Sequence, residues 1–259
     1  MTKSTGEKKS GLSMSILYLY KEPKRILNPG TGFLSGFTHS LNPYTGCAFG
    51  CSYCYVRQMP VALFRKSAWG SWVEVKRNAA SQLAKELRRA KEKGKVTIFM
   101  ASSTDPYQPI EYKARITRSL LEVLVENAPD FLLVQTRSPL VCRDIDLLQQ
   151  LPNLRVSLTI ETDSEYIRKQ FTPQAPPIPA RLAALKSLAK AGIPVQATIA
   201  PVLPSGNDFP KLLKPLVQRI CLDDYFLGDG SGGKRTERLN MRQKYKELGL
   251  EDWYGPQAI

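Results

Sequence analysis

The stretch LRVSLTIETDSEYIRKQFTPQAPPIPARLAALKSLAKAGIPVQATIA, residues Leu154 to Ala200, decides the fold. It opens on a run of strand-forming residues (Leu154–Ile160) and closes on a second one (Pro194–Ala200). Between them, Leu182, Leu185 and Leu188 recur at helical spacing behind Pro179 and stop at Gly192. Proline presets φ for a first helical turn and glycine ends one, so a helix is predicted there. Strand, helix, strand in that order is a unit of a parallel α/β sheet.

The same rhythm extends outward. Predicted strands are Phe37–Asn42, Val96–Ala101, Phe131–Gln135, Leu154–Ile160, Pro194–Ala200 and Cys221–Leu227. Ala79–Lys93 reads as an amphipathic surface helix, with Ala80, Leu83, Ala84, Leu87 and Ala90 inward, Lys85, Arg88, Arg89, Lys91 and Lys93 outward, and Gly94 as its stop. Thr117 is the expected N-cap of a helix running to Asn127, and short helices are expected after Asp144 and Asp208. Ser71–Lys76 alternates with period two and reads as an extra strand outside the barrel order. Six βα units make an incomplete, TIM-like (β/α)6 barrel with a lateral opening and ligands at the carboxyl ends of its strands. The expected division is a basic N-terminal extension (1–30), the barrel (31–228), and a basic C-terminal loop and helix (229–259).

The chain has 259 residues and 37 Lys and Arg against 23 Asp and Glu, a formal charge of +14, so its field attracts polyanions. No apolar run approaches the roughly 20 residues that span a bilayer. No secretory cleavage pattern follows the basic start, and a cytoplasmic monomer with no membrane partner is expected. The single histidine, His39, excludes multi-histidine metal sites and leaves little room for a Ser-His-Asp apparatus. Five cysteines, three within eight residues, do not suit a secreted disulfide framework.

Those three sit in LNPYTGCAFGCSYCY, which places Cys47, Cys51 and Cys54 as C-x3-C-x2-C directly after a predicted strand. Three thiolates on one short loop hold a 4Fe-4S cluster and leave its fourth iron open, unlike the four-cysteine ligation of an electron carrier. Gly46 and Gly50 let the backbone bend, and Tyr53 walls off one side. The competing readings are three buried thiols or part of a zinc site, although the loop lacks the fourth Cys or His that zinc wants.

This loop resembles the signature of the radical S-adenosylmethionine superfamily. NPYTGC, STDPYQPIE, Thr117–Arg118, RDIDLL, and PARLAALKSLAKAGIPV followed by APVLP are similar to its spore photoproduct lyase-like branch, described as DNA repair photolyase-related, from about Thr38 to Asp208. The resemblance implies a partial barrel, a 4Fe-4S cluster, S-adenosylmethionine chelated at the open iron, and reductive cleavage to a 5′-deoxyadenosyl radical that abstracts hydrogen from substrate. It implies an external electron donor of the flavodoxin or ferredoxin type and, with the charge, nucleic acid as a candidate substrate. By position, Ser103, Thr104 and Asp105 meet the methionine end, Glu161 and Thr162 the ribose, and Arg181 the carboxylate. The pattern breaks at Ser102, where true spore photoproduct lyases carry a hydrogen-donating cysteine, and at Arg137, where they carry lysine.

Other signals compete with plainer readings. Cys142 is a candidate substitute donor or a packed small residue, and Cys221 is expected in a buried strand. GDGSGGKR (228–235) approaches a phosphate loop but has Arg235 where Ser or Thr belongs. The basic faces of Ala79–Lys93 and of a helix over Lys234–Glu251 suit either nucleic acid or plain solvent. His39 is a cluster or ligand contact, or a structural histidine. Asp105, Glu111, Glu161 and Asp163 can be read as acid/base carboxylates or as ligand-binding ones. The rival function is a nucleic-acid-binding module whose cluster or zinc is structural.

Overall fold

A computed structural model describes residues 15–226 and 231–255. The basic tail up to residue 14 and Gly228, Asp229 and Gly230 of the glycine-rich segment lie outside the described residues. Ten strands form: β1 (Leu17–Lys21), β2 (Leu27–Pro29), β3 (His39–Leu41), β4 (Tyr44–Thr45), β5 (Trp72–Lys76), β6 (Thr97–Met100), β7 (Phe131–Thr136), β8 (Leu154–Thr159), β9 (Val195–Ile199) and β10 (Ile220–Leu222). Seven of them make one sheet in the order β10-β9-β8-β7-β6-β3-β2. It is parallel throughout except for β2, which runs antiparallel to β3 at the edge. The six parallel strands are the predicted six with shifted ends, β7 running one residue further to Thr136 and β10 starting one residue earlier at Ile220, and they form the incomplete barrel. The strand expected around Ser71–Lys76 forms in a separate sheet, β1-β5-β4.

Strand alternation gives each barrel strand two different faces. Ile98, Met100, Leu132, Val134, Val156, Leu158, Ala197 and Ile199 point outward into a core shared with Leu83 and Leu87 of the helix Ala79–Glu92, with Leu120, Leu121 and Leu124 of Ile116–Glu126, and with Leu185 and Leu188 of Ile178–Lys190. The alternate residues Phe99, Ala101, Leu133, Gln135, Arg137, Arg155, Thr159, Gln196, Thr198 and Ala200 line the lumen.

Three local expectations are corrected. Thr117 does not cap its helix. The chain enters Ile116–Glu126 through Arg115 at φ 52°, and Thr117 is buried in the first turn, its hydroxyl donating to the Pro106 carbonyl. Cys221 lies on β10, a short, exposed edge strand, so it is not in the core. The expected helix over Lys234–Glu251 is two helices, Lys234–Arg238 and Met241–Glu247, broken where Asn240 takes φ 56°.

Several segments that carried the family resemblance meet in one buried polar network. Glu111 accepts from the Tyr44 hydroxyl, from the Thr117 amide at 2.9 Å and from Arg143 Nη2 at 2.6 Å. Asp144, fully buried, accepts from Arg118 Nη1 at 2.9 Å and Arg143 Nε at 2.8 Å. The network locks the loops after β6 and β7 behind the site, a structural role for these residues. Removing one member leaves uncompensated buried charge, which costs about 3–5 kcal/mol. Asp144→Asn is therefore expected to lower the unfolding midpoint strongly in a thermal melt. Asp146→Asn, at the exposed end of the same arginine, is expected to cost about 1 kcal/mol or less.

Candidate functional site

The cysteine loop leaves the carboxyl end of β3 and turns at two glycines that tolerate no side chain. Gly46 has φ +85°, and a Cβ there would meet the Trp72 carbonyl at 2.6 Å. Gly50 has φ +55° and lies against Gly70, whose Cα would be 3.2 Å from an added Cβ. The loop backbone is held from both sides. Thr104 Oγ1 donates to the Gly46 carbonyl at 2.5 Å, the Ala48 amide donates to Gln108 Oε1 at 2.9 Å, and Arg57 donates to the carbonyls of Cys51 and Gly50 at 2.8 and 2.6 Å. Cys47, Cys51 and Cys54 are thereby brought to one cavity of about 520 Å³ at the carboxyl ends of the parallel strands.

Burial pushes all three thiols up, Cys54 to about 11. A ligand that binds thiolates must therefore expel protons and supply the missing positive charge, as iron does. Among the described residues no three His, Cys, Asp or Glu side chains gather as one metal ion requires. Three cysteines with no fourth cysteine or histidine beside them fall one ligand short of a structural zinc and match the donor set of a cubane with one open iron.

Tyr53 joins the loop to the barrel. Its buried hydroxyl contacts Glu161, and Arg137 Nη1 reaches it at 3.0 Å. Glu161 pairs with Arg137 at 2.5 Å and with Arg181 at 2.7 Å. Burial alone would raise the Glu161 carboxyl; the two guanidiniums and the Tyr53 hydroxyl outweigh it and hold the group down to about 2. Asp105 accepts from Thr136 Oγ1 at 2.6 Å and from the amides of Tyr107 and Arg137, both at 2.9 Å. Burial still pushes its carboxyl up against those bonds.

The sequence-derived residues separate into two tiers. Tyr53, Ser103, Thr104, Asp105 and the three cysteines line the cavity. Glu161 and Arg181 stand behind it. Arg181 is fully buried, donates to the carbonyls of Pro176 and Thr159 at 2.9 and 3.1 Å, and leaves Nη2 without a partner. In this arrangement they brace the wall; direct contact with a ligand's ribose or carboxylate would need them to move. Thr162 donates to the Pro204 carbonyl at 2.6 Å. His39 sits at the amino end of β3, away from the cysteines, with Nδ1 2.8 Å from Thr38 Oγ1, and is structural. Cys142 packs against the outer core, 3.6 Å from the Ala184 carbonyl, and Cys221 lines the lumen.

Two features of the site have no motif in the sequence. One is the anchoring of Tyr53 and Glu161 by Arg137. The other is an aromatic wall of Tyr225, Tyr245 and Tyr254, in which Tyr225 meets Tyr53 edge-on at 6.2 Å and Tyr254 at 5.6 Å. The C-terminal segment thus packs onto the cysteine loop in one apolar cluster with Cys47, Cys51, Trp69 and Trp72.

Fold and site together define an α/β protein with a partial parallel barrel and a three-cysteine loop at its carboxyl edge. A sequence profile of the Radical SAM superfamily matches residues 41–214, and the chain belongs to that superfamily. It is 36% identical over 181 residues to an uncharacterized protein of Methanocaldococcus jannaschii, covering 70% of this chain and 66% of that one. It is 31% identical over 237 residues to an uncharacterized protein of Acidianus two-tailed virus, covering 86% and 75%. Among solved structures it is similar to spore photoproduct lyase with bound AdoMet and dinucleoside spore photoproduct (TM-score 0.62, 18% identity, 89% of this chain and 66% of that one). It is also similar to Streptococcus suis SuiB bound to precursor peptide SuiA (TM-score 0.53, 14% identity, 92% and 47%). The chain thus spans 66% of both the methanogen relative and the lyase. The structural likenesses establish the fold, including the partial barrel.

Two outcomes follow for the site. Gly46→Ala is expected to destabilise the fold by more than the roughly 1 kcal/mol of backbone strain alone, because the new methyl overlaps Trp72; an unchanged melt would contradict the described packing. Glu161 is ionised in the folded chain down to about pH 2, against an ordinary value of 4.5. Its contribution is therefore full above pH 4.5 and is lost as pH falls towards 2. Glu161→Gln is expected to lower stability at pH 7 and to flatten that acid limb in urea titrations.

Proposed function

We propose that Cys47, Cys51 and Cys54 hold a 4Fe-4S cluster and that the protein is a radical S-adenosylmethionine enzyme. The observation that carries this reading is the convergence of the C-x3-C-x2-C cysteines on one cavity beside Ser103, Thr104, Asp105 and Arg137. When bound and reduced, the cluster and S-adenosylmethionine supply a 5′-deoxyadenosyl radical able to abstract hydrogen from a substrate.

The chain's own residues give that chemistry a shaped enclosure. Tyr53, Trp69 and Tyr225 exclude water on the cysteine side of the cavity. Ser103 offers its hydroxyl to the ligand end nearest the loop, and Asp105 fixes the Arg137 backbone. The Arg137 guanidinium, 15% exposed at its side chain, keeps one edge on Glu161 and presents a positive charge to the cavity that suits a carboxylate. The electron comes from an external donor of the flavodoxin or ferredoxin type. A nucleic-acid substrate is supported by the +14 charge and by the fold likeness to spore photoproduct lyase, whose lesion chemistry here would lack a thiol at Ser102.

Anaerobic reconstitution is expected to load about four irons per chain and, with dithionite and S-adenosylmethionine, to release 5′-deoxyadenosine. Cys47→Ala, Cys51→Ala and Cys54→Ala are each expected to abolish that release. A protein that takes up zinc but no iron, or that binds DNA with a steep salt dependence yet never cleaves S-adenosylmethionine, would favour a structural metal site instead.

A further inference from the structure

Beneath the cysteines the cavity continues down the barrel, and strand register resolves it into layers. Leu133 pairs with Phe99 on one side and Arg155 on the other. One layer nearer the cysteines, Gln135 pairs with Ser157 and Ser157 with Gln196. Ile220 pairs with Ala197 and the Ala197 amide donates to the Arg219 carbonyl at 3.2 Å, so Arg219 lies beside Gln196. The walls of this lower chamber differ. On the β6 side Phe37, Phe99 and Phe131 form an aromatic surface, Phe37 stacked on Phe131 at 6.2 Å and edge-on to Phe99 at 5.2 Å. On the β8 to β10 side lie Gln196, hydrogen-bonded to Ser157 at 3.1 Å, and the two arginines.

The arginines set this chamber apart. Arg118, Arg137, Arg143, Arg168 and Arg181 all pair with carboxylates. Half-buried Arg155 and exposed Arg219 line the cavity, and neither forms an ion pair with a carboxylate among the described residues. Asp223 and Asp224 line the cavity nearer the carboxyl ends of the strands. Only β9 separates β8 from β10, and Arg219 lies two residues nearer the carboxyl ends than Arg155, so their backbones are about 12 Å apart, a span that two arginine side chains can close around one small anion. An anion placed between the two guanidiniums would join them, and their planar donors match the oxygens of phosphate or carboxylate.

We infer that the lower lumen is a substrate subsite for an oxyanion: Arg155 and Arg219 clamp a phosphate or carboxylate, while the flat body attached to it rests on Phe37, Phe99 and Phe131. The clamp holds the substrate by the end away from the cysteines and leaves the opposite end facing the radical-generating site. This deepens the radical-enzyme reading and rests on it for the reaction, but binding can be measured without a cluster.

The test titrates phenyl phosphate, benzoate and the neutral benzyl alcohol into the full chain saturated with S-adenosylmethionine, following ligand-observed NMR. At least one of the two anions is expected to bind at least tenfold more tightly than the alcohol. Arg155→Met and Arg219→Met are each expected to weaken that anion about tenfold, the loss of one charge-assisted contact, with circular dichroism unchanged. Preference for phenyl phosphate marks a nucleotide-like substrate and preference for benzoate a carboxylate-bearing one; either supports the clamp. Should a variant not fold, displacement of the bound anion from the wild-type chain by inorganic phosphate, beyond the effect of sodium chloride at equal ionic strength, is the expected result. Equal binding of alcohol and anions, anion binding indifferent to both substitutions, or no specific displacement would overturn the inference. If arginine-dependent binding persists while the reconstituted protein yields no 5′-deoxyadenosine, the radical reading falls and the anion site stands.

Discussion

A single buried carboxylate ties the site together. Glu161, at the carboxyl end of β8, takes Arg137 from the end of β7 on one oxygen and Arg181 from the helix Ile178–Lys190 on the other. Through Tyr53 it also reaches into the cysteine loop. An isolated carboxylate would be very costly at this depth, and here the two guanidiniums keep it charged. Because the partners come from separate elements, their pairing fixes strand end, helix and loop relative to one another. The remaining cavity residues inherit their positions from that frame.

The family-like segments divide by what they do. Gly46, Gly50 and the cysteines shape a place for the proposed cluster, and Thr104 and Gln108 brace that loop from the end of β6. Tyr44, Glu111, Thr117, Arg118, Arg143 and Asp144 make a second buried network with no opening to the cavity. Sequence similarity over these positions therefore reports how the barrel is fastened as much as what it catalyses. The substrate must be sought in residues outside both sets, chiefly on the lumen faces of β7 to β10.

Much of the barrel was legible because each parallel strand and its covering helix carry their own periodicity. Leu154–Ile160, Pro179 and Gly192 mark one unit without any knowledge of the rest. The cysteine loop was legible for the same reason: spacing, glycines and Tyr53 are all local. What escaped was nonlocal. β4 has two residues and β2 three, too short for a period, and each forms only against its partner. Thr117 has the side chain of a helix cap, but tertiary bonds to Glu111 and Pro106 decide its place. The charge of Arg181 is visible in the sequence and its burial is not. The lumen had a signal that went unread: Arg155, Ser157 and Thr159 alternate with Val156, Leu158 and Ile160 in a strand that an all-buried parallel sheet would make uniformly apolar.

The central claim is that three cysteines leave one iron of a cubane open for S-adenosylmethionine. Electron paramagnetic resonance of the reduced, reconstituted protein, taken with and without S-adenosylmethionine labelled with 15N at the amino group, tests it most directly. The account predicts a changed cluster signal on addition of the nucleotide and a resolved coupling to the labelled nitrogen. An unchanged spectrum with no such coupling, from a cluster whose four irons are all held by the protein, would contradict it.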